Sequence, residues 1–245
     1  MVRPGWRNER IWELAPAGPA SQKLRRESPQ YVGSHYRPDV PPGTVVRGYR
    51  CEDVERPTFD DGSFDVIVSS DVFEHIVDVD AAHAQIARVL ADGGAHIWTV
   101  PQHRDIEVSR PRVHRTEGEL EHIEPAEYHG DPVSRGGALV TFDWGGDLPG
   151  RVEAASGMPT TTIRVESRAQ GLLGEFLEVF VSHRGVPDSG VHGRRSVTGA
   201  GAIDTLPQPR RASLPALAPW RSWWVTDRLR EIRATIRQRH GRRDR

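Results

Sequence analysis

The chain has 245 residues, a net charge of −1 and 36% hydrophobic residues, a composition that suits one modest domain with polar appendages. No run of 18 apolar residues is present, which argues against a membrane-spanning helix, and the N-terminal residues lack the apolar core of a signal peptide. The single cysteine, Cys51, excludes an intramolecular disulfide framework and a cysteine-rich zinc site. We therefore expect a cytoplasmic protein.

Two short strands are predicted near the N-terminus, after an extension formed by residues 1–9. The candidate for the first is residues 11–14, Ile-Trp-Glu-Leu, which precede a loop of small residues and prolines, Ala15 to Pro19. Residues 30–39 are expected to form a second strand and the turn that follows it. Both segments contain glycine and proline, which interrupt regular structure.

The clearest local pattern is a strand, a helix and a second strand. Residues 64–69 are apolar and β-branched, which predicts a strand buried on both faces of a parallel sheet. Apolar side chains recur at helical spacing over residues 78–90, and Asp92-Gly93-Gly94 is expected to stop that helix. Residues 96–100 predict the second strand. Residues 70–75 would then lie at the carboxyl end of a strand, where open α/β sheets bind ligands.

This segment resembles the class I S-adenosylmethionine-dependent methyltransferases that have a type 11-like methyltransferase domain. The shared pattern is F-D-x-[IV]-x-[SC]-x-x-[VL]-x-E-H, followed by a helix that ends R-V-L-x-x-G-G. It falls on Phe64-Asp65, Val72, Glu74-His75, Arg88-Val89-Leu90 and Gly93-Gly94. The resemblance implies a Rossmann-like α/β fold, a mostly parallel sheet that ends in an antiparallel hairpin, and S-adenosylmethionine as cofactor.

The same resemblance implies a cofactor loop after the first strand. In the family, that strand ends in an acidic residue and a glycine-rich loop. Glu13 occupies the position of the acid, but of the expected glycines only Gly18 remains, and Ala15 and Ala17 replace small neighbours. Two interpretations stay open: a degenerate loop that still lines the cofactor, and a Pro/Ala-rich connector without a ligand.

The chain departs from the family at the predicted ribose contact and agrees with it at the predicted adenine contact. Where the family has an acid after the second strand, this chain has His35, with Asp39 four residues later; an exposed loop histidine is the alternative. The segment Glu52, Asp53 and Val54 resembles the adenine-binding segment. Asp53 would accept a hydrogen bond from the exocyclic amine, and the Val54 N–H would donate to a ring nitrogen. A solvated acidic turn is the alternative here.

Residues 70–75 are expected to face the transferred methyl group. Ser70 and Asp71 complete the predicted cofactor set, and Glu74 is a predicted substrate contact. His75 is a candidate catalytic base, because the ordinary pKa of an imidazole lies near working pH. The alternative is that Glu74 and His75 only cap the turn and orient the loop.

Residues 102–147 lie where the fold usually inserts a substrate-recognising segment. Residues 125–132 resemble a P-x-E-Y-H-G-D-P stretch of some bacterial members of the family. Tyr128 and Asp131 are predicted substrate contacts, and His129 is a second candidate catalytic residue. A solvated acidic loop is the alternative.

No metal site is predicted. His114, His122 and His129 with a carboxylate could supply ligands, but their spacing matches no zinc template.

Three later segments, residues 138–144, 160–166 and 176–183, have the composition of strands, and residues 151–156 suit a short helix. The last two strands are expected to form the antiparallel hairpin, and the methyltransferase-like domain would extend from residue 10 to residue 184.

The C-terminal part of the chain differs in charge from the rest. Residues 185–217 are rich in Gly, Pro, Ser and Arg and predict a disordered linker, and residues 218–245 predict a basic amphipathic helix with three tryptophans at its start. Residues 207–245 have 11 arginines and three acidic residues. Such a helix suits an anionic membrane surface, a protein partner or the surface of its own domain. A nucleic-acid partner is not expected, because the domain itself is acidic.

The sequence thus predicts a methyltransferase that uses S-adenosylmethionine and acts on a small-molecule or carbohydrate-linked acceptor. O-methylation is favoured because His75 and His129 are plausible bases. Two alternatives remain. One is a non-catalytic methyltransferase-like domain that acts as a binding or scaffold subunit, and the other is a membrane adaptor that works through residues 218–245.

Overall fold

The regular elements lie within residues 3–130, 136–170 and 172–185, which the computed structural model describes. In chain order they are β1 Ile11–Leu14, α1 Gly18–Glu27, β2 Tyr31–His35, β3 Val45–Val46, β4 Tyr49–Cys51, β5 Phe64–Ser70, α2 Val79–Val89, β6 Leu90–Thr99, β7 Arg110–Pro111, β8 Val113–Thr116, β9 Glu119–His122, β10 Tyr128–His129, β11 Ala138–Leu139, β12 Phe142–Asp143, α3 Leu148–Ser156, β13 Thr160–Arg164 and β14 Glu178–His183.

Eight of these strands form one sheet in the order β13-β14-β6-β5-β1-β2-β4-β3. The five strands β6, β5, β1, β2 and β4 are parallel. Strand β14 is antiparallel to both of its neighbours, β6 and β13. This arrangement confirms the predicted Rossmann-like sheet with a C-terminal antiparallel hairpin. The chain continues from β1 to β2 on one side and from β5 to β6 on the other, so the strand order reverses between β1 and β5, where such sheets bind ligands.

The hydrophobic core lies between the sheet and the helices α2 and α3. Trp12 and Trp98 from the sheet pack in one buried cluster with Ile86 from α2 and Leu148 from α3, and each is at most 1% exposed. Burial of large side chains of this kind contributes about 1.5–3 kcal/mol each. The predicted helix over residues 78–90 is confirmed as α2, and Asp78 caps it by accepting a hydrogen bond from the Ala81 N–H at 2.9 Å.

An irregularity inside β6 explains the Gly-Gly pair of the sequence pattern. Gly93 has a φ of +74°, a left-handed conformation that favours glycine. A Cβ on Gly94 would lie 2.7 Å from the Ala91 carbonyl oxygen and 3.1 Å from that of Asp65. The two glycines therefore allow β6 to shift its register between Leu90 and Ala95 and to lie close beside β5. The helix has already ended at Val89, before the Asp92-Gly93-Gly94 segment that was predicted to stop it.

Asp65, the aspartate of the sequence pattern, connects two strands of the sheet through hydrogen bonds to Arg10. The Asp65 carboxylate accepts hydrogen bonds from Arg10 at the backbone N–H (2.9 Å), at Nε (3.0 Å) and at Nη2 (2.6 Å). Arg10 comes directly before β1, so this pair fixes β1 beside β5 at the end of the sheet away from the loops that follow the strands.

In its described residues, the insertion at residues 102–147 contains three small two-stranded sheets: β8 with β9, β10 with β11, and β7 with β12. The single strand predicted over residues 138–144 is therefore wrong. Thr141 separates β11 from β12, and its N–H and Oγ1 donate to the Glu74 carbonyl oxygen at 2.8 and 3.1 Å. These bonds hold the segment against the turn after β5 instead of in the main sheet.

No helix among the described residues is long and apolar enough to cross a membrane. The predicted linker beyond residue 185 and the predicted helix over residues 218–245 lie outside the described residues.

Candidate active site

The loop between β1 and α1 makes a tight turn without the expected glycines. Ala15 has a φ of +47° and Gly18 a φ of +77°; the first is strained for a residue with a Cβ. The Ala15 N–H donates to the Ser34 carbonyl oxygen at 2.8 Å, which extends the pairing of β1 with β2. Pro19 lies in the first turn of α1, where its fixed φ suits a helix start. The degenerate loop therefore keeps a sharp turn at the carboxyl end of β1.

Glu13 lies beneath this turn and links three elements. Its side chain is buried, and it accepts hydrogen bonds from Ser21 Oγ at 2.7 Å and from Tyr31 OH at 2.6 Å. Burial raises the pKa of Glu13, and these two hydrogen bonds oppose that effect. One carboxylate thus joins β1 to α1 and β2 directly below the predicted cofactor loop.

His35 and Glu52, at the predicted ribose and adenine positions, are both buried, which the alternative interpretations did not expect. His35 is buried at the end of β2, and its ring packs edge to face with that of Tyr49, with centroids 4.8 Å apart, so the interpretation as an exposed loop histidine is wrong. Glu52 is also buried; it pairs with Arg50 and accepts from the N–H and hydroxyl of Thr58 at 2.9 and 2.7 Å. A solvated acidic turn is therefore wrong for Glu52, because its carboxylate braces the loop that follows β4.

Asp53 and Val54 lie on that loop at the carboxyl edge of the sheet. Asp53 Oδ1 accepts a hydrogen bond from the Glu55 N–H at 2.9 Å, whereas the Val54 side chain belongs to the hydrophobic core. Glu55 in turn binds Arg115 of strand β8 at 2.7 and 3.2 Å and accepts from the Asp78 N–H at 3.1 Å. The β8–β9 hairpin is thereby tied to the predicted adenine-binding loop.

Asp71 occupies a strained position in the loop after β5. It has a φ of +52°, its N–H donates to the Thr99 carbonyl oxygen at 3.0 Å, and its Oδ1 accepts from Thr99 Oγ1 at 3.0 Å. Although part of the residue is exposed to solvent, neighbouring protein atoms reduce the hydration of its carboxyl group and so raise the pKa of Asp71. The negative charge of Glu74 raises it further. Ser70, just before it, is exposed at the end of β5.

Glu74, His75 and His129 meet beside this loop, although the last is distant in sequence. Glu74 is 2% exposed, and its Oε1 lies 3.7 Å from His75 Nε2 and 3.8 Å from His129 Nδ1. His75 Nδ1 lies 2.8 Å from the Leu139 carbonyl oxygen, to which it must donate. The two imidazole rings stand edge to face with centroids 5.3 Å apart. The structure thus places both predicted catalytic histidines around one buried carboxylate.

The charges around His129 differ from those around His75. His129 Nε2 also lies 3.4 Å from Glu127 Oε1. Glu74 raises the pKa of His129 and Glu127 adds to the effect, while burial opposes both. The local sequence does not indicate that Glu127, Leu139 and Thr141 contact the site. They reach it through the tertiary structure, in which β10 pairs with β11.

The remaining predicted substrate contacts are less well placed. Tyr128 is 59% exposed on β10, and Asp131 lies outside the described residues. His114 and His122 are exposed on the β8–β9 hairpin. Within the described ranges they join no cluster of three potential metal ligands with His129.

Comparison with known proteins agrees with this architecture. Residues 24–98 match the family model described as a methyltransferase domain. No curated protein matches the chain in sequence. The structure is similar to an S-adenosylmethionine-dependent methyltransferase from Mesorhizobium loti, with a TM-score of 0.50 and 16% identity, over 75% of this chain and 95% of that one.

Two further solved structures show weaker similarity. A SAM-dependent methyltransferase from Methanosarcina mazei has a TM-score of 0.43 and 11% identity, over 74% of this chain and 94% of that one. The 1,6-didemethyltoxoflavin-N1-methyltransferase of Burkholderia thailandensis, solved with bound 1,6-didemethyltoxoflavin and S-adenosylhomocysteine, has a TM-score of 0.43 and 14% identity, over 75% of this chain and 78% of that one.

The strand order, the matched segment and the Mesorhizobium loti structure define the class of this domain. It has the class I methyltransferase fold, and residues 24–98 carry the sequence features of a methyltransferase domain. The predicted resemblance to S-adenosylmethionine-dependent methyltransferases is confirmed at this level.

Proposed function

We propose that this chain transfers the methyl group of S-adenosylmethionine to a hydroxyl of a small-molecule or carbohydrate-linked acceptor. One observation carries the proposal: the tight loop after β1 and the Glu74–His75 pair after β5 follow parallel strands at the edge where such sheets bind ligands, and the insertion brings His129 to the same place. The cofactor would supply an electrophilic methyl group, and the chain would supply position, a dry site and a proton acceptor.

The described residues fit the cofactor in its predicted orientation. The backbone turn at Ala15 and Gly18 would face the methionine part, and Glu13, although hydrogen-bonded already, keeps a further lone pair on each oxygen for a ligand. Asp53 would accept from the adenine amine, and the Val54 N–H would donate to a ring nitrogen. His35 would approach the ribose from the end of β2, with Ser70 and Asp71 on the opposite side of the switch point.

His75 is better suited than His129 to act as the base. Because His75 Nδ1 donates to the Leu139 carbonyl oxygen, its Nε2 has a free lone pair when the ring is neutral. The raised pKa of His129 keeps that ring protonated to higher pH. His129 would therefore hold a positive charge beside the acceptor site, while His75 takes the proton of the acceptor hydroxyl.

Calorimetric titration with S-adenosylmethionine, and separately with S-adenosylhomocysteine, tests the cofactor site. We expect micromolar binding of both ligands, and Asp53→Ala and Glu13→Ala should each weaken it by about tenfold or more, the loss of roughly 1.4 kcal/mol. Asp60→Ala is the matched control, because Asp60 is exposed before β5 at the opposite edge of the sheet. Unchanged affinity in both site variants would remove this assignment.

A non-catalytic binding domain is the second candidate function. Two observations favour it: alanine stands at the strained position 15, and both oxygens of Glu13 already accept hydrogen bonds within the domain. In that case the same titration would give no binding of either ligand up to millimolar concentration.

A further inference from the structure

The buried Glu74 carboxylate faces two imidazoles but makes no hydrogen bond to either of them. Its side chain is 2% exposed, and neither of its oxygens has a hydrogen-bond partner in the described part of the chain. The imidazole nitrogens that face it, at 3.7 Å (His75) and 3.8 Å (His129), are beyond hydrogen-bond length. A buried ionised carboxylate is costly unless it is paired, hydrogen-bonded or bound to a metal.

Both imidazoles are oriented as metal-binding histidines are. His75 Nδ1 is engaged with the Leu139 carbonyl oxygen, so Nε2 is the nitrogen that faces Glu74. His129 has the reverse arrangement: Nδ1 faces Glu74, and Nε2 lies 3.4 Å from Glu127 Oε1. A histidine that binds a metal through one ring nitrogen commonly donates its other N–H to a carbonyl or carboxylate oxygen.

The size of the cluster also suits one ion. One ligand atom from each of Glu74, His75 and His129 lies within 4.8 Å of the other two. Metal–ligand bonds of about 2.0–2.2 Å place ligand atoms up to roughly 4.4 Å apart around one centre. Only atoms on opposite sides of an ion reach that separation, and neighbouring ligand atoms lie roughly 3–3.6 Å apart, so a contraction of about 1 Å or slightly more would bring all three atoms into one coordination sphere.

We propose that Glu74, His75 and His129 bind one divalent transition-metal ion. Two imidazole nitrogens and one carboxylate oxygen suit Mn²⁺, Fe²⁺, Co²⁺ or Zn²⁺, whereas Mg²⁺ and Ca²⁺ prefer ligand sets made of oxygen. Three protein ligands leave coordination positions open for water or a substrate oxygen.

A bound ion would narrow the class of molecules that can accept the methyl group. An ion with open positions can coordinate a hydroxyl and make it more acidic at neutral pH. While the ion occupies His75 Nε2 and His129 Nδ1, it supplies the positive charge in place of the His129 imidazolium, and the proton of the acidified hydroxyl passes to water instead of to His75. This step rests on the proposed function, and it selects acceptors whose reacting hydroxyl has a neighbouring oxygen, so that both can bind the ion. Binding of the ion itself requires neither cofactor nor acceptor, so it can be measured independently of methyl transfer.

Calorimetry and visible absorption with Co²⁺ test the site in the full chain, stripped of metal and freed of any purification tag. We expect about one ion per chain, and weakening of about tenfold or more in Glu74→Gln and in His129→Ala. His114→Ala is the control and should bind as the wild type does, because His114 is exposed on the β8–β9 hairpin. Absence of binding by the wild type, or binding that survives both site substitutions, overturns the proposal.

A measurement on the wild type covers the case in which the variants do not fold. Diethylpyrocarbonate modifies accessible neutral imidazoles, and mass spectrometry locates the modified histidines. Because a coordinated nitrogen cannot react, Co²⁺ should slow modification of His75 and His129 and leave His114 and His122 unchanged. Equal modification rates with and without Co²⁺ at all four histidines would overturn the proposal.

Discussion

Replacing Ala15 by glycine should stabilise the domain, contrary to the usual effect of this substitution. Ala15 has a φ of +47°, so its Cβ is held close to the following peptide. Removal of the Cβ relieves this strain, and the hydrogen bond from its N–H to the Ser34 carbonyl oxygen is unaffected. Only the greater flexibility of glycine in the unfolded chain opposes the gain.

The expected size follows from these two effects. A left-handed residue with a Cβ costs about 1–2 kcal/mol, and glycine costs roughly 0.5–1 kcal/mol through the entropy of the unfolded chain. The difference is a stabilisation of about 1 kcal/mol, which corresponds to an increase in Tm of about 2–4 °C for a chain of this length.

Urea unfolding followed by tryptophan fluorescence measures this difference, provided that the slope of the unfolding free energy against urea is unchanged. Ala84→Gly is the matched control. Ala84 is exposed in the interior of α2, where glycine should destabilise by about 1 kcal/mol. If Ala15→Gly destabilised the domain as much as Ala84→Gly does, Ala15 would not be in the left-handed conformation, and the account of the loop would fail.

Three further predictions concern the site and its supports. His129→Ala should slow turnover and leave the affinity for S-adenosylmethionine within about twofold, because His129 lies beside Glu74 on the acceptor side; a loss of cofactor affinity alone would place it in the cofactor pocket. Arg115→Ala should increase hydrogen exchange and protease cleavage in the β8–β9 hairpin, since Arg115 binds Glu55 at 2.7 Å. Unchanged protection would show that the hairpin is held by other contacts. Asp65→Asn should lower the free energy of unfolding at pH 6 by about 1 kcal/mol, allowing for partial solvent exposure. The hydrogen bond from Arg10 lowers the pKa of Asp65 in the folded state, so its stabilising effect is present above the ordinary Asp pKa and is lost as the pH falls through the lower folded value. The difference between wild type and variant should therefore narrow as the pH falls below about 4, and a difference that did not depend on pH would contradict the ionic role.

The predictable parts of the fold are those determined by local pattern. Residues 64–69 and 78–90 form the expected strand and helix, because an apolar run and a helical repeat each indicate which side chains are buried. The positive φ of Gly93 agrees with its choice as a special backbone position, but the helix that it was predicted to stop already ends at Val89. The role of Asp65 was not, because it depends on Arg10, which is distant in sequence.

The insertion was predicted less well because its structure is set by distant contacts. The composition of residues 138–144 suits one strand, but the bonds from Thr141 to the Glu74 carbonyl oxygen divide it in two. The proximity of His129 to Glu74 follows from the pairing of β10 with β11 and from that same attachment. At Glu52 the two consecutive acidic residues left a solvated turn open as the alternative interpretation, and only the structure shows that the first of them is buried.

The position of β14 has a consequence for how the protein is made. It is the last described strand in sequence, yet it lies inside the sheet, between β6 and β13. Until β14 has been synthesised, the edge of β6 that faces β14 has no partner strand. Ile97 and Trp98, which pair with β14 in the folded domain, lack that partner during this time. The sheet can be completed only after His183 has left the exit tunnel. Any residues translated after His183 then lie between the folded domain and the ribosome.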